Sequence, residues 1–425
     1  MDILTVSLPF LVSHTWYSLL SVFWFTILFD VPRYILPFMA FGLALRAQQK
    51  PPESRNDLLP SHFTVSIVLI GHNEETALEA CVKSLREQSF DRFEIIIVSD
   101  GSSDRMLSVA KRLVSQGLAE RALSTDLRGG KSSGINLALN FVRGDIVVNV
   151  DCDCSFDRYA LEYLLEPFSD PAVGAVCGDI APRNAGVGLV AQFQEIEYLQ
   201  SIAIGKRVAN VFNQVVCASG AFSAFRRTAL EEIGGFDVGG GEDLDITIRL
   251  RLKGWRVAFA AEALCYTDVP STVSQFIRQR LRWERDAIWI RYRKHGRLMN
   301  PFSRDFHATE TLHQWDYFFF NIFGTIVFPI YLTLLYLQYG AFSLVILVSM
   351  QIGLLAMDVV ILAISSFSTK RSVFWKNLLY LPGYAFFMTF VMRPIRLVAY
   401  IDEWVFSGSH RDNYVPEKVR LQRPW

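Results

Sequence analysis

Between Asp305 and Thr369 this chain has no lysine or arginine, and residues 4 to 29 form a second apolar stretch, longer than the roughly 20 residues a helix needs to cross a bilayer. In hydrocarbon such runs satisfy their backbone only as helices, so the fold must place helical membrane segments around whatever lies between them. No lysine or arginine precedes residues 4 to 29 and no small-residue cleavage site follows them, so this stretch is expected to be an anchor and not a signal peptide. Arg33, Arg46 and Lys50 come after it, which puts the N-terminus outside and the middle of the chain in the cytosol. Tyr34 to Leu45 is apolar but short, and reads as interfacial or as an extension of a span kinked near Pro32.

Toward the C-terminus two spans are expected, at 315 to 337 and 342 to 366, with Lys370 and Arg371 marking a return to the cytosol. A third apolar segment, Val373 to Val391, is interrupted by Pro382-Gly383, and a basic tail (Arg393, Arg396, Arg411, Lys418, Arg420, Arg423) follows. A full crossing there would leave the tail outside, against the charge rule, so a re-entrant or interfacial element is the alternative. Asp358, inside an apolar span, is either a channel residue or the partner of a polar neighbour.

The middle of the chain holds the chemistry. Formal charge balances to zero, so no attraction to nucleic acid is implied. All six cysteines fall here, without zinc or disulfide spacing, which suits a reduced compartment and a packing role for Cys152 and Cys154. From Thr64 the pattern alternates strand and helix: Val65–Ile70, Glu74–Gln88, Phe93–Val98, then a helix at Lys131–Val142 and a strand ending at Asp151. This is the βαβα order of an open, doubly wound parallel sheet, with loops bearing Asn73 and Glu74, Asp100, and Asp151 and Asp153 all at strand carboxyl ends. Asp151-Cys152-Asp153 offers two hard oxygen ligands for Mg2+ or Mn2+; taken alone it is equally an acidic loop with no ligand. If the strand continued through it, both aspartates would share one face. Glu242-Asp243-Leu244-Asp245, behind Gly239 to Gly241, opens a helix where acids also serve as ordinary caps. Ser271 to Arg297 is a basic amphipathic segment whose arginines suit a membrane's inner surface, the cluster Gln279-Arg280-Leu281-Arg282-Trp283 excepted.

Taken in order, Gly71-His-Asn-Glu-Glu75, Asp100-Gly-Ser-Ser-Asp104, Asp151-Cys-Asp153, Gly241-Glu-Asp243 and Gln279-x-x-Arg-Trp283 resemble the processive membrane members of glycosyltransferase family 2: cellulose, hyaluronan and chitin-oligosaccharide synthases. The resemblance covers Thr64 to Trp283 and implies an α/β fold plus membrane helices, with a cytosolic, nucleotide-sugar-binding, doubly wound (GT-A-like) domain between N- and C-terminal transmembrane segments. The implied boundaries are an anchor at 1–47, a linker at 48–61, the transferase domain at 62–270, an interfacial helix at 271–304, a membrane or channel region at 305–400 and a basic cytosolic tail at 401–425.

By the same resemblance, Asn73, Glu74, Asp100 and Lys131 hold the nucleotide of a UDP-sugar, and Asp151 and Asp153 carry its diphosphate through Mg2+ or Mn2+. Gln279 and Arg282 contact the diphosphate, Trp283 stacks on the acceptor sugar, and Ser219-Gly220 lines the acceptor site. Asp243 is the expected general base with Glu242 the runner-up, since the attacking hydroxyl needs a carboxylate on the face opposite the leaving group. The expected protein is a multi-pass inner-membrane β-glycan synthase. Its partners are a UDP-sugar (UDP-glucose or UDP-N-acetylglucosamine), a growing polysaccharide and the lipid bilayer. The alternative is a single-transfer enzyme acting on a lipid-linked acceptor. Many relatives carry threonine where Gly241 stands. A cyclic-dinucleotide-sensing C-terminal domain like that of cellulose synthase has no counterpart here, so such control is expected only through an accessory or regulatory subunit.

Overall fold

The computed structural model describes residues 3–13, 15–32, 34, 42, 63–237, 239–369, 371 and 373–411. The expected linker at 48–61, most of Tyr34 to Leu45, the basic tail beyond 411, and Arg33, Arg46, Lys50 and Lys370 lie outside the described residues. The chain forms two compact units. One gathers the described residues of Lys50–Val187, Ser201–Ser271 and Gly408–Trp425, the other those of Met1–Gln49, Gly188–Gln200 and Thr272–Ser407.

The first unit is built on eight strands: β1 (Val65–Gly71), β2 (Phe93–Asp100), β3 (Arg121–Thr125), β4 (Ile146–Asp151), β5 (Ser155–Phe156), β6 (Val173–Pro182), β7 (Phe222–Arg226) and β8 (Arg256–Thr267). They form one sheet in the order β3-β2-β1-β4-β7-β6-β8-β5. The first strands read as unbroken apolar runs because both faces are covered. Ile67, Leu69, Ile95, Ile97, Val148 and Val150 enter one core, with Leu78, Val82 and Leu85 of the helix Leu78–Arg86. Val68, Ile70, Ile96, Val98 and Val147 enter the other, with Ile135 of the helix Lys131–Leu139 and Ile246 of Glu242–Leu252.

The expected all-parallel sheet is corrected to a mixed one. β3, β2, β1 and β4 are parallel, but β7 runs antiparallel to both β4 and β6. The physical reason lies just before β7, where Ala221 accepts a hydrogen bond from the Asp151 amide at 3.1 Å. The segment 219–221 therefore starts at the carboxyl end of β4, and the strand that follows it can only run away from that edge. β8, parallel to β6, carries the sequence Arg-Val-Ala-Phe-Ala-Ala-Glu-Ala, in which alanine hides the strand propensity.

In the second unit the N-terminal apolar stretch is not one straight span. Helices Ile3–Val12 and Trp16–Phe29 meet at 119°. Phe25 and Phe29 pack with Phe328, Tyr331, Ile346 and Met350 in a single core. Among the described residues two helical stretches, Ala308–Ser368 and Leu381–Phe406, are long and apolar enough to cross a membrane. Gly340, at φ 56°, interrupts the first between helices Gly324–Tyr339 and Ser343–Ser368, where the expected spans divide. The expected interruption of Val373–Val391 is present, since the helix Phe374–Leu378 ends before Pro382 is reached. Pro382 occupies the first turn of a helix beginning at Leu381, where its missing N–H has no intrahelical role.

For Arg393 and Arg396 the expectation is corrected. They belong to the helix Arg393–Phe406 and not to a free basic tail, because each finds a carboxylate: Arg393 pairs with Asp30, and Arg396 Nε donates to Glu284 at 2.9 Å. Glu284 also accepts from the hydroxyls of Tyr317 at 2.7 Å and Tyr400 at 2.9 Å. Burial alone would raise its pKa, but Arg396 and the two hydroxyls outweigh it and hold the carboxyl below its ordinary range. Asp358 takes the paired alternative, accepting from Tyr34 Oη at 2.9 Å.

Glu284 lies on the helix Val273–Ile288, capped by the Thr272 hydroxyl. On the same helix Arg280 makes a two-pronged pair with Glu197 at 2.8 and 2.6 Å, and Arg285 pairs with Asp402 at 3.1 Å. Arg285, expected to face lipid headgroups, is thus ion-paired within its own unit, as is Arg280 of the excepted cluster. Removing one member of a largely buried pair leaves the other charge uncompensated, at about 3–5 kcal/mol. Glu284→Gln should therefore lower the detergent melting temperature markedly. The double variant Glu284→Gln/Arg396→Met should recover much of the loss, and equal losses in single and double variants would show that the pair carries no such load.

Candidate functional site

β1, β2 and β4 are adjacent and in register, Gly71 opposite Ser99 and Ile70 opposite Asp151, so the loops that follow them emerge side by side. Asn73 adopts a positive φ of 62°, a conformation asparagine tolerates, and its side chain caps backbone of the loop after β2. Its Oδ1 accepts from the Ser103 amide at 2.8 Å, and its own amide donates to Ser102 Oγ at 3.1 Å. Two residues on, the Glu75 amide donates to Asp104 at 3.0 Å while Glu75 accepts from the Arg105 amide at 2.8 Å. The first two motifs thus lock to each other, leaving Glu74 between the clasped residues.

Asp100 is 2% exposed, and both its oxygens are engaged by the protein. Oδ1 accepts from Thr125 Oγ1 at 3.0 Å and the Gly129 amide at 2.7 Å, and Oδ2 from the Gly130 amide at 2.8 Å. Its observed task is to fix the turn that leads into Lys131. Gly130, at φ 85°, makes that turn, and the helix Lys131–Leu139 begins directly after it.

Lys131 forms an ion pair with Asp151, and its Nζ also donates to the Gly220 carbonyl at 2.8 Å. Asn149 Nδ2 donates to the same carbonyl at 2.7 Å, and the Gly220 amide faces Asp243 Oδ2 at 3.4 Å. A Cβ placed on Gly220 would lie 3.3 Å from Lys131 Nζ and 3.4 Å from Glu242 Oε1. Gly220 is therefore where Lys131, Asp151, Glu242 and Asp243 converge. Ser219 is held separately, its Oγ taken by Lys206. Asp243, in the first turn of Glu242–Leu252, is further oriented by the Leu244 amide at 2.8 Å.

The expected sharing of one strand face by Asp151 and Asp153 is corrected. β4 ends at Asp151, and a turn closed by the Cys154 amide on the Asp151 carbonyl, at 3.2 Å, brings Asp153 round. Cys152 and Cys154 stay in the core, where burial raises their thiol pKa values and keeps them inert packing residues. Asp153 Oδ2 accepts from Thr267 at 3.1 Å, and its carbonyl from Arg183 at 2.9 Å.

Residues 66–234 match the profile of Glycosyl transferase family 2. The chain contains a glycosyl transferase family 2 domain. The chain is similar to a poly-beta-1,6-N-acetyl-D-glucosamine synthase of Staphylococcus aureus, 29% identical over 223 residues that cover 52% of this chain and 53% of the relative. It is also similar to the corresponding synthase of Staphylococcus epidermidis, 28% identical over 221 residues, with the same coverage. The match thus spans about half the length of these curated relatives. Among solved structures, the mannosyltransferase from Pyrobaculum calidifontis in complex with GDP-Man and Mn2+ shares the fold, at TM-score 0.57 and 18% identity, over 88% of this chain and 98% of the other.

Of the residues singled out in the sequence, the first unit brings Lys131, Asp151, Gly220, Glu242 and Asp243 together, with Ser219 adjacent, Glu242 and Asp243 lying beyond the matched residues 66–234. Glu74 and Asp153 join through their charges. Burial and then the negative charges of Asp153, Asp151 and Asp104 push Glu74 up to about 7. Asp153 is raised by burial and by Asp151, with Thr267 working against them. Burial opposes the charge on Lys131, but Asp151 and Glu242 outweigh it and hold the ammonium above the usual lysine range. Gln279, Arg282 and Trp283 lie in the other unit, on the helix Val273–Ile288. There Trp283 is 37% exposed, with the Arg280 guanidinium 4.6 Å from its ring centre, and Gln279 Oε1 is buried without a hydrogen-bond donor among the described residues.

Sequence reasoning missed Asn149, Thr125, Thr267, Arg183 and Lys206. Each is an ordinary polar residue whose role comes from tertiary neighbours. Asn149, a polar residue inside an apolar strand one turn of the pleat before Asp151, carried the one usable signal. Folded Glu74 holds its proton more tightly than the unfolded chain does, so its contribution to stability is complete below about pH 4.5 and is lost as pH rises to about 7. With a chelator present, the wild-type melting temperature should fall between about pH 5 and 7 relative to Glu74→Gln. Parallel curves would show that the neighbouring acids exert no such pressure.

Proposed function

We propose that this chain is an inverting, processive polysaccharide synthase that transfers a hexosyl unit from a UDP-sugar to a growing β-glycan. The observation that carries the reading is the convergence of Lys131, Asp151, Glu242 and Asp243 on Gly220, at the strand ends where an α/β sheet takes its ligands. Between UDP-glucose and UDP-N-acetylglucosamine, the staphylococcal relatives favour the latter. Residues Asn73 and Glu74, on the loops clasped at the ends of β1 and β2, are assigned to the nucleoside, with Asp100 shaping the pocket floor through its bonds to Gly129 and Gly130.

The donor set fits a divalent cation. Asp151 and Asp153 present hard oxygens beside Glu74, which burial first and then their negative charges raise, and Asp151 is 39% exposed along its side chain. Among the described residues no group of three His, Cys, Asp or Glu could hold an ion by itself, so an ion on Asp151 and Asp153 would need phosphate oxygens to complete its shell. Asp151 and Asp153 would hold Mg2+ or Mn2+. When bound, such an ion supplies positive charge beside the diphosphate.

The chain's own part is positional and acid–base. Asp243, fixed by the amides of Gly220 and Leu244, is placed to take the proton of the acceptor hydroxyl as its oxygen bonds to the anomeric carbon and the bond to UDP breaks. Lys131 offsets negative charge on the departing diphosphate. Ser219 and Gly220 form the floor on which the acceptor sugar rests. Gln279, Arg282 and Trp283 are assigned to the diphosphate and acceptor, and the apolar helices to passage of the product through the inner membrane, the transferase domain facing the cytosol. Asp243→Asn should lower turnover by about a hundred- to ten-thousand-fold, with Glu242→Gln less affected. The measurement is polymer formation by purified membranes given UDP-sugars with Mg2+ or Mn2+, followed by linkage analysis. Full turnover by Asp243→Asn would remove its role as base, and a product limited to one sugar on a lipid would remove processivity.

A further inference from the structure

The aligned dipoles at a helix N-terminus favour negative charge, yet the helix Lys131–Leu139 opens on a lysine and has no acid in its first turn. Asp151 is what holds the ammonium there, and among the described residues Lys131 is the only ion-pair partner of Asp151. The same carboxylate is the one through which a divalent cation would enter the site. Ammonium and cation therefore compete for one group.

The remaining contact of Lys131 is arranged so that it can be given up. The Gly220 carbonyl accepts from Lys131 at 2.8 Å and from Asn149 at 2.7 Å. If Lys131 moves, Asn149 keeps that carbonyl satisfied, and the cost of an orphaned acceptor does not arise. For Asp151 the opposite holds, since losing Lys131 leaves its charge uncompensated beside Asp153 and Glu74. A diphosphate is the ligand that can draw the ammonium away, because it brings anionic oxygens to a helix N-terminus and forms charge-assisted hydrogen bonds with a lysine.

We propose that Lys131 is a resident counter-ion that keeps a divalent cation off Asp151 until a nucleoside diphosphate recruits the ammonium, so that cation and nucleotide load together. The inference rests on the reading of Asp151 as a cation ligand. Its thermodynamic content is a reciprocal coupling, in which each ligand tightens the other by the same factor, part of that factor being release of the lysine.

The test is titration of the full-length protein in detergent with Mn2+, followed by electron paramagnetic resonance, with and without UDP. Wild type should bind Mn2+ weakly alone and at least about tenfold more tightly with UDP. Lys131→Gln should bind Mn2+ alone about tenfold more tightly than wild type, with the gain from UDP reduced to match. Lys131→Arg, which keeps the charge, should behave as wild type, an outcome that a purely structural role for the side chain does not produce. Melting temperatures report whether each variant folds, and Lys131→Met repeats the uncharged arm should the glutamine variant be unstable. If an uncharged variant binds UDP but takes up Mn2+ alone no better than wild type, the counter-ion role is wrong while the nucleotide reading stands. If wild type binds no UDP in the presence of Mn2+, the nucleotide-sugar reading itself fails.

Discussion

The Gly220 carbonyl is the point on which the candidate site depends. It accepts from Asn149 on β4 and from Lys131 at the head of a helix, while the amide of the same residue faces Asp243 on another helix. Three elements distant in sequence are thereby tied to one peptide unit. A Cβ there would lie 3.3 Å from the ammonium and 3.4 Å from the Glu242 carboxylate, so a larger side chain would have to displace them. The reversed direction of β7 follows from the same constraint, because the segment that supplies this peptide must begin where β4 ends.

Local pattern carried most of the sheet's first half. Apolar runs covered on both faces, separated by helices with a single apolar stripe, make β1, β2 and β4 legible, together with the loops that end in Asn73, Asp100 and Asp151. Strand direction is a different kind of property. Phe222–Arg226 has the same composition whichever way it runs, and only its tie to Asp151 decides. β8 was hidden by alanines, and the approach of Asp153 to Asp151 through a turn was hidden because two residues of spacing fit a strand equally well. Single residues in the site divide along the same line. Acids spaced as motifs stand out, whereas Thr125, Thr267 and Asn149 gain meaning only from neighbours far away in the chain.

The apolar unit shows how charge count misleads. Arg393 and Arg396 in a linear reading belong to a basic tail, and a tail's charges argue about which side of a membrane it occupies. In the fold both are buried against Asp30 and Glu284, and Glu284 gathers two tyrosine hydroxyls as well. A charge neutralised inside the protein has no vote in orientation. The helix that carries Trp283 is in turn anchored by its other faces, through Glu284, Arg280 and Arg285, so its exposed ring projects from a fixed support.

The ion pair between Lys131 and Asp151 also bears on how the first unit comes into being. In many small metalloproteins the ion completes the fold, and a chain deprived of it does not assemble. Here the carboxylate at the end of the central strand is balanced by a residue of the same chain, and the two cores on either side of the sheet are closed by aliphatic and aromatic packing. If the proposed cation site is real, folding of this domain does not wait on it: scarcity of the ion would leave an intact protein that is unloaded, not a misfolded one to be degraded.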